Sequence, residues 1–180
     1  MVARFVAALT VVLALSAPAF AADRKDLQVA RDVSKQVLTY PQFSIFDAVH
    51  MQVDNGIVTL LGKVTMPYKK NDIEKRVAKV DGVTRIVDKV DVLPVSTWDD
   101  ELRYRIARAI YGNANFWHYA ASANPPIHVV VDHGRVTLTG VVQSEVDKML
   151  ARSLVTQNGV MSVTNKLQTA EEAREQLEKS

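Results

Sequence analysis

Two stretches of this chain are near copies of each other. Residues 49–64 read Val-His-Met-Gln-Val-Asp-Asn-Gly-Ile-Val-Thr-Leu-Leu-Gly-Lys-Val, and residues 127–142 read Ile-His-Val-Val-Val-Asp-His-Gly-Arg-Val-Thr-Leu-Thr-Gly-Val-Val. Nine of these sixteen positions are identical. A later pair continues the match. Residues 82–90 read Gly-Val-Thr-Arg-Ile-Val-Asp-Lys-Val, and residues 159–167 read Gly-Val-Met-Ser-Val-Thr-Asn-Lys-Leu. Six of the seven glycines fall into repeat-related pairs: Gly56 with Gly134, Gly62 with Gly140, and Gly82 with Gly159. Glycine at fixed places marks backbone geometry that other residues resist. The chain therefore holds two copies of one fold unit.

Each copy reads element by element. Asn55-Gly56 is a hairpin signal, because both residues accept positive φ. It joins strands over 49–54 and 57–64, with Val58, Leu60, Gly62 and Val64 on one face. Upstream, Leu27, Ala30, Val33, Val37 and Leu38 recur at helical spacing, which predicts a helix over 25–39. Tyr40-Pro41 ends it, since the residue before proline avoids the helical region. Pro67 opens a second helix carrying Ile73, Val77 and Val80. Gly82 ends that helix, and a third strand follows over 83–92. The order is αββαβ.

The second copy repeats it. Thr97 is read as the N-cap of a helix whose first turn holds Asp99, Asp100 and Glu101. Leu102, Ile106, Ala109 and Ile110 form its predicted buried stripe. His133-Gly134 makes the turn. Ser144 caps a helix bearing Val146, Met149, Leu150 and Leu154, Asn158-Gly159 stops it, and a strand follows over 160–168. Each unit has only about 70 residues, near the lower limit for an independent core, so the two are expected to pack together.

Composition narrows the function. The chain has 180 residues, 48% apolar and 23% charged, with a net charge of +2. That excludes a disordered chain and demands no polyanionic partner. The absence of cysteine excludes disulfides, thiol nucleophiles, thiolate metal sites and a lipid-modified N-terminal cysteine. Residues 1–21 hold Arg4, an apolar run from Phe5 to Leu15, and the ending Ala19-Phe20-Ala21. This is the pattern of a Sec-type signal peptide cleaved after Ala21. The run is shorter than the ~20 residues that span a bilayer. The expected location is the bacterial periplasm. The expected organisation is a signal peptide (1–21), a first unit (22–93), a linker (94–97), a second unit (98–168) and an acidic tail (169–180), a frayed helix or disordered.

The string Val-x-Asp-x-Gly-x-Val-Thr-Leu-x-Gly-x-Val, followed after a helix by Gly-Val-x-x-Val-x-Asn-x-Leu, resembles the BON domain over roughly 25–93 and 98–168. Two copies behind a signal peptide are similar to the OsmY-like periplasmic members of that family. The expected fold class is α+β: two tandem αββαβ units, each a small three-stranded mixed sheet with two helices on one face. The second copy keeps Val163-Asn165-Leu167, whereas the first has Ile86-Asp88-Val90, so the partner of the asparagine is expected to differ there. The resemblance implies a non-enzymatic role in envelope integrity or osmotic stress, often through contact with phospholipid.

Candidate sites follow. The paired glycines serve the fold, as turns and strands require. His50 and His128 are repeat-equivalent but fall in different units, and no metal-ligand spacing appears. No Gly-x-Ser-x-Gly or comparable constellation supports catalysis. Asp99, Asp100 and Glu101 read as helix-capping and ion-pairing acids near Arg103 and Arg105. No cofactor, metal, small-molecule substrate or nucleic acid is expected. Lys69, Lys70, Lys75, Arg76 and Lys79 make one helix the densest basic surface, either a solvated face or a contact for anionic lipid. Asn115-Phe116-Trp117-His118-Tyr119 lies in a connection longer than its counterpart in the first unit. Phe116 lines up with Phe43 and reads first as core packing, with lipid contact as its other reading. Trp117 and Tyr119 suit a membrane interface, with Arg105 and Arg108 adding attraction to acidic headgroups. The favoured function is peripheral contact with anionic phospholipid. The alternative is a protein–protein adaptor or holdase-like stress protein, supported by Ile57 and Leu61 on the outward face of a strand. That face is equally a candidate interface between the two units.

Overall fold

The computed structural model describes residues 20–122, 124–156 and 159–179. The expected signal peptide lies outside them except for its last two residues, and so does Asn158 of the predicted helix stop.

The first unit runs α1 (Phe20–Leu38), β1 (Ala48–Asp54), β2 (Ile57–Val64), α2 (Pro67–Val77), β3 (Arg85–Val92). The second runs α3 (Thr97–Tyr111), a 3-10 turn at Ala114–Phe116, α4 (Trp117–Ala120), β4 (Ile127–Asp132), β5 (Arg135–Val142), α5 (Glu145–Val155), β6 (Ser162–Thr169), and then α6 (Ala170–Lys179). In each sheet the middle strand pairs antiparallel with its hairpin partner and parallel with the last strand, giving the orders β1-β2-β3 and β4-β5-β6. A parallel partner needs a crossover, and α2 and α5 supply it.

Alternation along the central strand sets the core. Val58, Leu60 and Val64 face Val29, Val33, Val37, Ile73 and Val77 of the helices. Val136, Leu138 and Val142 do the same against Leu102, Ile106, Ile110, Ala151 and Val155. Helices cover one face of each sheet, as expected.

The paired glycines all have positive φ, whereas the unpaired Gly112 has φ −85°. Asn55-Gly56 (φ 51° and 76°) and His133-Gly134 (52° and 70°) form the hairpin turns. Gly62 and Gly140 sit opposite the start of the neighbouring strand. A Cβ on them would lie 2.0 Å from the Ala48 carbonyl oxygen and 1.8 Å from that of Pro126. The repeat preserves a close backbone approach that admits no side chain.

Four local expectations change, and one left open is decided. Helix α1 begins at Phe20, earlier than predicted. Ser96, not Thr97, caps α3, its side chain accepting from the Asp99 amide at 3.2 Å. Ala109 is half-buried, and Ala107 takes its place in the buried stripe. Val146 and Met149 are 65% and 63% exposed; α5 is rotated so that Ala151 and Val155 face the core, with Leu150 and Leu154 packed beside them. The tail forms helix α6. Thr169 and Glu172 make a reciprocal capping box, the Glu172 amide donating to Thr169 Oγ1 at 3.2 Å and the Thr169 amide to Glu172 Oε2 at 2.9 Å. Lys148 on α5 then pairs with Glu172 at 2.9 Å.

The two units meet along β1 and β4. Ala48, Leu93 and Val130 bury one another there. The Val129 amide, on the outer side of edge strand β4, donates to the Ile45 carbonyl at 2.7 Å, so the loop before β1 caps an edge that would otherwise offer free amides. Lys63 pairs with Asp132 across the junction, and the Phe46 and Tyr104 rings meet edge-on at 5.1 Å. Ile57 remains exposed and Leu61 half-buried, so these two are not the centre of the interface. Leu93, just after β3, reaches the other unit because its amide is held by the Val64 carbonyl at 2.9 Å.

Candidate functional site

The basic helix α2 is largely occupied by internal bonds. Lys69 is buried and bonds Asp47 at 2.6 Å. Asp47 also accepts from the Ser44 and Thr65 amides and both hydroxyls, at 2.7 to 2.9 Å. Burial by itself raises this carboxyl, but the Lys69, Thr65 and Ser44 bonds outweigh it and hold it below its ordinary value. The knot fixes the 43–47 loop that docks on β4. Lys70 donates to the Val90 carbonyl at 2.6 Å and stands 3.7 Å from Asp88. Arg76 donates to the Gln36 carbonyl and Thr39 Oγ1, with its guanidinium 5.7 Å from the Tyr40 ring centre. Lys75 and Lys79 are exposed. The five cations thus do not present one lipid-facing surface.

The motif asparagine is explained on the same elements. Asn165 Nδ2 donates to the Lys148 carbonyl at 2.9 Å, and its Oδ1 accepts from the Leu167 amide at 3.2 Å. Asp88 keeps the second bond, to the Val90 amide at 2.8 Å, but a carboxylate has no N–H to give. Lys70, the repeat counterpart of Lys148, turns its ammonium toward it instead.

The aromatic insert divides. Phe116 is fully buried, and Tyr119 is 5% exposed. The Tyr119 hydroxyl donates to Asp147 Oδ2 at 2.8 Å and accepts from the Gln143 amide at 2.6 Å. Burial is the main cause that pushes this hydroxyl up to about 12, with Asp147 adding to it. Both rings therefore pin the insert to the core and the first turn of α5, and neither is available at a surface. Trp117, on the opposite side of the same short helix, is 68% exposed.

Other groups share the helical side of this unit. Trp98, Arg105 and Arg108 fall on one face of α3 at helical spacing, all exposed. The Arg105 guanidinium lies 5.8 Å from the Trp98 ring. Val146 and Met149 are exposed on α5, which the Tyr119–Asp147 bond joins to α4. The sequence reading missed Trp98, Val146 and Met149. An α5 stripe spaced to include 151 and 155 would have found the last two. Trp98 stands in the first turn of α3 and Trp117 beyond its last, so these are separate exposed groups and not one patch, and among the described residues no helix is long and apolar enough to cross a membrane.

A different role belongs to Asp99. It is 1% exposed and accepts from the His133 and Gly134 amides, both at 2.8 Å. Asp26 does the same for Asn55 and Gly56, at 2.7 and 3.0 Å. In each unit a carboxylate of the first helix holds the hairpin turn. Arg103, beside it on α3, donates to the Val131 carbonyl at 2.7 Å and pairs with Asp100. The acid cluster is thus structural.

His50 and His128, placed in separate units by the sequence, line one cleft between them. The Phe43 ring lies 5.4 Å from the His128 ring. Among the described residues no three histidine or acidic side chains are grouped to hold a metal.

Comparison with known proteins places these features in a family. The BON domain model matches residues 25–94 and again 99–171. No curated protein matches the chain. Two solved structures are similar, both of CdsD, a structural protein of the type III secretion system of Chlamydia trachomatis. One is 15% identical with a TM-score of 0.28, covering 84% of this chain and 97% of that one. The other, its C-terminal domain, is 14% identical with a TM-score of 0.27, covering 76% and 94%. Likeness at that level bears on neither fold nor function.

Proposed function

We propose that this chain, which belongs to the BON domain family, is a periplasmic module that contacts anionic phospholipid through the helical side of its second unit. The family consists of non-catalytic binding modules associated with membranes or phospholipid. The observation that carries the reading is Trp117, 68% exposed on a short helix whose other side is locked into the core. A rigidly seated, solvent-facing indole suits the headgroup layer. Met149, exposed on the helix that the Tyr119–Asp147 bond ties to α4, extends the apolar contact, and Arg105 and Arg108 supply charge. The signal-like residues 1–21 support the periplasmic compartment, and the resemblance to the OsmY-like members supports a role in envelope integrity or osmotic stress.

Partial insertion of one indole contributes roughly 2 kcal/mol at ~25 cal/mol per Å². Each arginine adds about 1 kcal/mol on an anionic leaflet. Binding is therefore weak and salt-sensitive. Trp117→Ala should cut co-sedimentation with phosphatidylglycerol vesicles about tenfold or more while leaving the melting transition unchanged. Tyr119→Phe should lower that transition with little effect on vesicle binding by the folded protein. Wild-type protein that ignores such vesicles at low salt refutes the reading. The adaptor reading would then rest on Ile57, exposed on the open face of the first sheet.

A further inference from the structure

The two open sheet faces carry a repeated row with histidine at one end and lysine at the other. In the second unit His128, Thr139 and Lys166 are register neighbours across β4, β5 and β6. In the first, His50, Leu61 and Lys89 occupy the same places across β1, β2 and β3. Where the units meet, they enclose a cleft of about 500 Å³. That volume is within the range of small-molecule sites. Leu38, Phe43 and Val49 form its apolar wall from the first unit, and Pro125, Pro126 and Val141 from the second. His50, His128 and Thr139 provide polar groups. No carboxylate is among the described residues that line it.

The charge beside it is positive. Lys166 does not line the cleft but is the register neighbour of Thr139, which does; desolvation, with the Lys166 charge adding to it, holds His50 below its ordinary pKa. Lys166 forms no ion pair among the described residues. Asp47, whose charge acts on His128, is already engaged by Lys69, Ser44 and Thr65. An apolar trough with two imidazoles in its lining, a lysine one strand away from it and no lining carboxylate complements an amphiphile with an anionic head.

We propose that the inter-unit cleft binds a single-chain amphiphile with an anionic head, its chain against Phe43, Val49 and Val141 and its head beside His50 and Lys166. This site is separate from the Trp117 surface. The chain comes either from a free fatty acid or from a lipid drawn out of a bilayer, and the two sources are distinguished below.

The test is calorimetric titration of the full chain with decanoate below its micelle concentration, at pH 7, together with histidine ring signals by NMR. Decanoate should bind and shift the His50 and His128 rings. Decanol, with the same chain and no charge, should bind about tenfold more weakly, and butyrate, with the same head and a short chain, should not bind detectably. Val141→Trp fills the trough from an already exposed position and should abolish binding with the melting transition retained. Lys166→Glu should weaken decanoate about tenfold and leave decanol unchanged. Trp117→Ala should bind decanoate normally, so failure of the vesicle reading and failure of this one are separable. Displacement of decanoate by phosphatidylglycerol vesicles, retained in Trp117→Ala, identifies the bilayer as a source of the same ligand; no displacement leaves the free fatty acid as the ligand. Absence of decanoate binding by the wild type, equal binding by Val141→Trp, or equal affinity for decanol and decanoate overturns the proposal.

Discussion

Replacing Asp99 by alanine removes one carboxylate and disconnects α3 from the β4–β5 turn. The side chain is 1% exposed. Its two oxygens accept from the His133 and Gly134 amides at 2.8 Å each. A hydrogen bond to a charged group contributes roughly 1.5–3 kcal/mol. His133 is exposed and its amide can turn to water, but Gly134 is buried, so its amide would lose its acceptor. The expected loss is about 3–4 kcal/mol. Asp26→Ala is the internal control. It makes the same two bonds, and Gly56 is buried like Gly134, but Asp26 itself is only half-buried, so water reaches the vacated place and the loss should be smaller, about 1–2 kcal/mol. Asp99→Asn should fall between, because an amide oxygen can serve one of the two N–H groups while its own NH₂ opposes the other. Urea denaturation is the assay. Both tryptophans of the chain, Trp98 and Trp117, lie in the second unit, so indole emission follows that unit while circular dichroism follows both. A change below ~1 kcal/mol for Asp99→Ala, or equal losses for the two alanine variants, refutes the assignment of this carboxylate as the tie between helix and hairpin.

Two further outcomes are expected. Gly140→Ala combines a strained φ of 119° with a Cβ 1.8 Å from the Pro126 carbonyl oxygen, and should lower stability by roughly 2–4 kcal/mol in the same urea assay; a neutral result would show that the β4–β5 approach is not tight. Burial holds His128 below its ordinary value of 6.5, so the unfolded chain takes up its proton first as pH falls, and stability declines from about pH 6.5 downward. Asp47, held below its ordinary 3.8, contributes stability that is present above that value and is lost as pH drops further. The urea midpoint should fall between pH 7.5 and 5.5 in the wild type and fall less in His128→Phe; equal slopes would remove His128 as the cause.

The local features of this fold are written in the chain. Asn55-Gly56 and His133-Gly134 specify hairpins because only a few residues accept positive φ. The alternation Val58-Leu60-Val64 specifies which strand face is buried, since successive side chains point to opposite sides. The repeat establishes the rest by duplication. Properties that depend on what crosses the space between distant segments were not legible. Tyr119 and Lys69 look like surface groups in sequence, and they are buried because Asp147 and Asp47 happen to face them. Trp117 stays outside because it is two residues from Tyr119 on one helical turn, pointing the other way. Thr169-x-x-Glu172 was readable as a capping box, yet its lasting anchor, Lys148, is not a sequence neighbour. His50 and His128 share a cleft only because the 43–47 loop caps β4 and brings the open faces together. Hydrophobic period and turn chemistry act within a few residues of the chain, so the sequence alone determines them. Burial of a given polar side chain, and the meeting of two units, depend on which long-range partners satisfy its bonds, and only the tertiary structure decides that.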